Sequence, residues 1–189
     1  MTHNFWQGSK ARLRALEPRD WEVFHAFDAD TEVARLCDQV HFPRSSEGTQ
    51  AWAKEEATAK PGSDAFRWVI ENEAGVIVGT INTFGCDRRT GAFKYGLAIA
   101  REHWRRGYAR EAICIVLRYY FRELRYQKVN VHIYDFNEAS IKLHEKLGFQ
   151  HEGRLRRMLY ADGAFHDEIH MGLTAEEFEA RWNDFSSKA

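Results

Sequence analysis

The chain is short of cysteine and proline, almost free of net charge, and has no long apolar run. Its three cysteines, Cys37, Cys86 and Cys114, are widely spaced and form no Cys-x-x-Cys pair, which argues against both a disulfide framework and a zinc site. Cys114 falls inside an apolar helical pattern and reads as core. The longest apolar stretch, Ala112 to Leu117, is far too short to cross a bilayer, and nothing near the start resembles a signal peptide. A net charge of -1 gives no overall attraction to nucleic acid or a membrane surface. A cytoplasmic protein with neither kind of partner is expected.

What is present is enough for one domain over residues 1–189, since 189 residues with 44% hydrophobic content can bury a substantial core. Charge is locally uneven. Arg101 to Lys128 holds eight Arg and Lys against three Glu, which suits a polyanionic small molecule, although Arg118, Arg122 and Arg125 also read as a solvated helix face.

Met1 to Lys10 has no clear period; Phe5 and Trp6 belong either to a loose arm or to a contact with a partner subunit, as in a homodimer. Ala11 to Glu17 alternates as a strand and Pro18 stops it. Helices are predicted around Trp21, Phe24 and Phe27, over Thr31 to Val40, and from Ser45 or Ser46 to about Ala59, with Pro61-Gly62 closing this half. Phe66 to Glu71 and Val76 to Phe84 form a hairpin about Asn72 to Gly75, and Gly85 to Gly91 turns into a strand over Ala92 to Ala100. A long helix follows from Ala109. Lys128 to Tyr134 alternates as another strand, and the helical crossover makes it parallel to the strand before. Phe149 to Tyr160 and Ala164 to Leu173 form a hairpin about Asp162-Gly163, and Thr174 to Glu177 is a capping box for a helix ending near Asn183. The sum is an α/β fold with a mixed, mostly antiparallel central sheet and helices on both faces.

Two stretches carry chemistry. In Tyr95 to Arg110 a strand passes through the basic turn Trp104-Arg105-Arg106-Gly107-Tyr108-Ala109 into a helix. Free amides and the positive end of the helix dipole make such a terminus an anion site; Gly107 and Ala109 permit close approach, and Arg105, Arg106 and Arg110 add charge. In Asn137 to Phe149, Asn137 caps a short helix and Gly148 stops it. Ala139, Leu143 and Leu147 are spaced to pack on a sheet, while Asn137, Ser140 and His144 follow along another side. Each of these three also has a plainer reading, as a cap, a first-turn hydroxyl and a solvated helix residue.

Together the two stretches resemble the GNAT superfamily of N-acetyltransferases, in the branch that includes ribosomal-protein N-terminal and spermidine acetyltransferases. The family's coenzyme motif, Gln/Arg-x-x-Gly-x-Gly/Ala, is matched at Gly107 and Ala109, with Trp104 where Gln or Arg is usual. Its later motif, Asn-x-x-Ala/Ser and then Tyr-Glu-Lys-Leu-Gly-Phe, is matched by Asn137, Ser140 and Glu145 to Phe149, with His144 in place of Tyr. The resemblance covers about Val76 to Leu173. It implies acetyl-CoA as acyl donor and a sheet splayed between its two parallel strands, with the donor in the gap. It further implies that Leu97, Ala98 and Ile99 pair with the pantetheine arm, that the amides of Arg105, Arg106, Gly107, Tyr108, Ala109 and Arg110 hold the diphosphate, and that Asn137 bonds the arm near the thiol. His144 is then the candidate acid for the leaving thiolate, with Ser140 as understudy.

The base stays open among His132, Asp135, Glu168 and His170. The acceptor is an amine on a small molecule or a protein N-terminus; Glu22, Asp28, Asp30 and Glu32 would attract a cationic one such as a polyamine. Two other readings remain: a coenzyme-A-binding sensor without turnover, prompted by His144, and a metallohydrolase built on His166, Glu168 and His170, which share one face of a strand. No metal is expected.

Overall fold

A computed structural model describes residues 4–60 and 64–186. Pro61-Gly62, read as closing the first half, lies outside them. The elements are β1 (Ala11–Ala15), α1 (Trp21–Asp28), α2 (Thr31–Cys37), α3 (Ser46–Thr58), β2 (Arg67–Asn72), β3 (Ile77–Asp87), β4 (Ala92–Ile99), α4 (Tyr108–Arg122), β5 (Lys128–Tyr134), α5 (Glu138–Leu147), β6 (Gln150–Ala161), β7 (Ala164–Thr174) and α6 (Ala175–Ser186). Short 3-10 turns occupy Pro18–Asp20 and Arg101–His103.

One seven-stranded sheet runs in the order β1-β2-β3-β4-β5-β7-β6, antiparallel except where β5 lies parallel to β4. Strand alternation sorts the core into two layers. On one face Trp68, Ile70, Phe93, Val129 and Val131 pack with the α4 residues Ile113, Val116, Leu117 and Tyr120. On the other, Val69 meets Leu16, Phe24 of α1 and Ala53 of α3.

Local chemistry sets the element ends. Asp162 (φ 51) and Gly163 (φ 81) make the two left-handed positions of the β6–β7 turn, as an Asp-Gly hairpin requires. Thr174 and Glu177 close their capping box, the Thr174 amide donating to Glu177 at 2.9 Å and the Glu177 amide to the Thr174 hydroxyl at 3.3 Å.

Three expectations change. The helix predicted to reach Val40 stops at Cys37, having buried no residue. The turn expected from Gly85 narrows because β3 continues to Asp87 through an irregularity after Phe84, where Gly85 adopts φ 57. Phe5 and Trp6 are not loose: Phe5 packs edge-on against Tyr119, and Trp6 lies on Tyr119 and Trp68. No described helix is long and apolar enough to cross a membrane.

Candidate active site

The parallel seam is short. β4 and β5 pair only from Ala92, Phe93 and Lys94 to Lys128, Val129 and Asn130, and beyond Lys94 the strands part. Ala100 donates to the Val78 carbonyl at 2.9 Å, so in an antiparallel ladder Gly96 and Ala98 face β3 while Leu97 and Ile99 turn their backbone groups to the open side. Two side chains mark that edge: the Ile99 carbonyl accepts from Trp104 Nε1 at 2.7 Å, and the Leu97 carbonyl from Cys37 Sγ at 3.6 Å. The gap is the floor of a cleft of about 1210 Å³, lined among others by Leu97 to Ile99, Trp104, Gly107 to Arg110, His132, Asn137, Ser140 and His144. Thus the cleft draws on both stretches singled out in the sequence.

At one end stands the turn into α4. Gly107 caps the helix with φ 91 and Arg105 has φ 61, so two left-handed positions two residues apart curve the backbone amides into a concavity of the kind that takes anions. Arg105 and Arg106 are exposed beside it. Trp104, the departure from the family motif, is spent on pinning the last residue of β4 to this turn, with the Arg101 guanidinium 5.3 Å from its ring centre.

At the other end is α5. Asn137 caps it through Oδ1, which accepts from the Ser140 amide at 3.1 Å, and its Nδ2 donates to the Leu36 carbonyl at 2.9 Å. Much of its bonding capacity is therefore used within the protein. Gly148 ends the helix at φ 96. Of the row expected to pack on the sheet, Leu147 is buried and Leu143 packs half-buried against the core, while Ala139 is exposed and His144 joins the buried stripe.

His144 is not a solvated residue: it is 5% exposed and bonded at both nitrogens. Nδ1 lies 2.8 Å from the Ser140 carbonyl, which can only accept, so Nδ1 carries the proton. Nε2 then accepts from the Tyr95 hydroxyl at 2.7 Å. Burial lowers the imidazole to about 4, partly offset by the bond to Ser140, so the ring is neutral near pH 7. Burial likewise pushes the Tyr95 hydroxyl well above its usual range and keeps its proton in place. Ser140 Oγ lies 3.3 Å from Nδ1, a weak second contact that leaves its own proton free to rotate.

The remaining candidates separate by position. Of the four possible bases only His132 lines the cleft. Asp135 contacts His166 Nδ1 at 3.2 Å and Arg154 at 3.6 Å. His170 Nε2 is 2.6 Å from Glu168 Oε1, though out of line for a hydrogen bond. His166, Glu168 and His170 do share a strand face, but His166 turns to Asp135, and no three His, Cys, Asp or Glu side chains among the described residues converge as a metal site. Three of the four acids singled out around α1 and α2 have arginine partners, two of them sharing one guanidinium. Arg101 reaches Asp30 at 2.7 Å and Glu32 at 2.9 Å, its hydrogen bonds holding Asp30 down at about 2, and Asp28 lies 3.9 Å from Arg44.

Sequence reasoning passed over Tyr95, which alternation alone marks as core. It also undervalued Trp104, whose indole N–H had no visible partner until β4 and the turn were placed side by side.

Comparison with known proteins agrees with this layout. An acetyltransferase (GNAT) domain model matches residues 10–150. The chain is 44% identical to the SPbeta prophage-derived uncharacterized N-acetyltransferase YokL of Bacillus subtilis over 95% of its own length and 98% of that protein's. It is 23% identical to the spermidine N(1)-acetyltransferase of Vibrio cholerae over 90% of this chain and 96% of that one. A crystal structure of spermidine N-acetyltransferase from Vibrio cholerae in complex with CoA and spermine shares the fold with a TM-score of 0.79 at 22% identity, covering 91% of this chain and 99% of that chain. With a family model spanning most of its length and a close relative matched nearly end to end, the chain belongs to the GNAT family of acyl-CoA-dependent N-acetyltransferases.

Proposed function

We propose that the protein transfers an acetyl group from acetyl-CoA to a primary amine, by direct attack while both are bound. The observation that carries this reading is the splay: beyond Lys94 the β4 edge carrying Leu97 and Ile99 has no strand beside it among the described residues, and the cleft joins that edge to the Gly107 turn and to Ser140. The diphosphate sits in the amide concavity of residues 105–110, the pantetheine arm pairs along Leu97 to Ile99, and the thioester reaches Ser140. An N–H of the open edge then polarises its carbonyl.

The amine nitrogen attacks the carbonyl carbon, the C–N bond forms, and the C–S bond breaks as the thiolate leaves. Placing both reactants in one cleft supplies much of the rate. His132, facing the cleft, takes the proton lost by the amine, directly or through water. The thiolate needs a proton in return. His144 was the first candidate from the sequence, yet its one proton is held by the Ser140 carbonyl and its free nitrogen by Tyr95. This pattern favours Ser140 as the donor, its hydroxyl passing a proton to the sulfur while taking one from solvent, to which His132 returns the amine's proton, with His144 fixing the turn that carries it. Phe84, Tyr134 and Phe136 line the acceptor end and suit an amine on a small molecule or a protein N-terminus; with Asp30 and Glu32 already paired to Arg101, they give a polycation no special advantage.

Thiol release from acetyl-CoA, measured against a panel of amines, tests the reaction. Ser140→Ala should lower kcat by about 10²-fold with KM for acetyl-CoA held within about twofold. Undiminished kcat would remove Ser140 as the donor, and no thiol release with any amine would count against transfer itself.

A further inference from the structure

The N-terminal arm, left without a role by the sequence, is built to hold one lysine over the coenzyme turn. Residues 4–8 fold back along β1: the Leu13 amide donates to the Trp6 carbonyl at 2.9 Å, the Gly8 amide to the Ala11 carbonyl at 2.8 Å, and Gln7 bridges Arg12. The turn between them is clamped by one carboxylate. Glu111, in the first turn of α4, accepts from the Ser9 amide and hydroxyl at 2.8 Å each, the Lys10 amide at 2.8 Å and the Ala11 amide at 2.5 Å. A side chain at Gly8 would collide with that carboxylate, since a Cβ there would lie 2.4 Å from Glu111 Cδ. Two helical turns further on, Phe5 and Trp6 pack on Tyr119. The arm is thus tied to α4 at its turn and along its length.

The consequence falls on Lys10. Its Nζ lies 3.5 Å, and its Cδ 3.7 Å, from the point a Cβ on Gly107 would occupy, so the ammonium rests against the left-handed residue at the centre of the amide concavity. Lys10 is exposed and none of its ammonium contacts among the described residues is to a carboxylate. Glu111, which binds the Lys10 amide, has its oxygens committed to the clamp.

We propose that Lys10 is a ligand of the coenzyme diphosphate, delivered by the N-terminal arm and positioned by Glu111. It rests on the reading of residues 105–110 as the diphosphate site and adds to that turn a cation from outside the family motif. An ammonium is a compact charge on a flexible stem, able to reach either phosphate without a fixed fork geometry. Glu111 acts through Lys10 and touches no substrate.

The test is equilibrium binding by calorimetry of CoA and of dephospho-CoA, which keeps the diphosphate and lacks the 3′-phosphate. Lys10→Gln should weaken both by about tenfold at low salt, the ratio to wild type shrinking as added salt screens the exposed charge. Lys10→Arg should bind within about twofold of wild type. Glu111→Ala should lose the same factor as Lys10→Gln, and the double variant should lose no more than either, as expected if the acid works only by placing the lysine. Equal affinity of Lys10→Gln and wild type for CoA would overturn the proposal. A penalty seen with CoA but absent with dephospho-CoA would overturn it too, by moving Lys10 to the 3′-phosphate. Wild-type protein that fails to bind CoA would instead refute the underlying reading of the turn.

Discussion

His144 should make the protein acid-sensitive by a calculable amount. Its ring falls from an ordinary value of 6.5 to about 4 on folding, chiefly through burial. The unfolded chain therefore binds the extra proton, so the contribution is present in full above about pH 6.5 and is lost as pH falls toward about 4. Integrating that difference from about pH 7.5 to about pH 5 gives a loss of about 2 kcal/mol, equivalent to about 4–8 °C in Tm for a chain of this size. Urea unfolding at the two pH values, in wild type and His144→Gln, isolates the effect, because the other histidines are common to both proteins. Glutamine is neutral throughout and can still bond the Tyr95 hydroxyl. The variant need not match wild type at pH 7.5: the quantity read is the difference between the two pH dependences. Parallel profiles would refute the neutral, doubly bonded imidazole, and with it the reasoning that passes the acid role to Ser140.

Tyr95→Phe should cost about 1–3 kcal/mol by leaving buried His144 Nε2 unpaired, measured by urea unfolding near pH 7; a neutral result would mean that water replaces the hydroxyl. Gly107→Ala should destabilise by about 1–2 kcal/mol, because its φ of 91 is left-handed, and should raise KM for acetyl-CoA more than it lowers kcat. Trp104→Phe, which keeps an aromatic ring and deletes the bond to the Ile99 carbonyl, should weaken CoA binding about threefold to tenfold in a calorimetric titration, with little change in kcat. Gly8→Val, which cannot seat against Glu111, should loosen the arm and speed proteolysis within residues 4–10.

The sheet was legible because its signals are local. Val129, Val131 and Ile133 alternate with Asn130, His132 and Tyr134, and Asp162-Gly163 names its own turn. The turn proposed to hold the coenzyme stood out for a similar reason: small residues and arginines are contiguous at Trp104 to Arg110. What stayed hidden depends on pairs far apart in the chain. Nothing in the sequence near His144 says that Tyr95, 49 residues earlier, will meet its ring. The spacing of Ala139, Leu143 and Leu147 pointed to a packing stripe that holds at Leu143 and Leu147 but loses Ala139 to solvent and admits His144, whose burial costs little with two bonds satisfied. The arm was opaque because its order comes from Glu111, about 100 residues on, while its own sequence has no period.

The three-residue seam between β4 and β5 means that the sheet is mechanically two plates, β1 to β4 and β5 with β7 and β6, stitched at one corner. Along the rest of that boundary the two plates share no ladder among the described residues and are held by the α4 side chains packed across both, to which anything bonded in the opening would add. A guest bonded to both plates serves as a missing rung of the ladder, so its affinity is also folding stability: at a hundredfold excess over Kd it adds about 2.7 kcal/mol. Amide exchange along Tyr95 to Ile99 and Val131 to Tyr134 would slow together when the guest arrives.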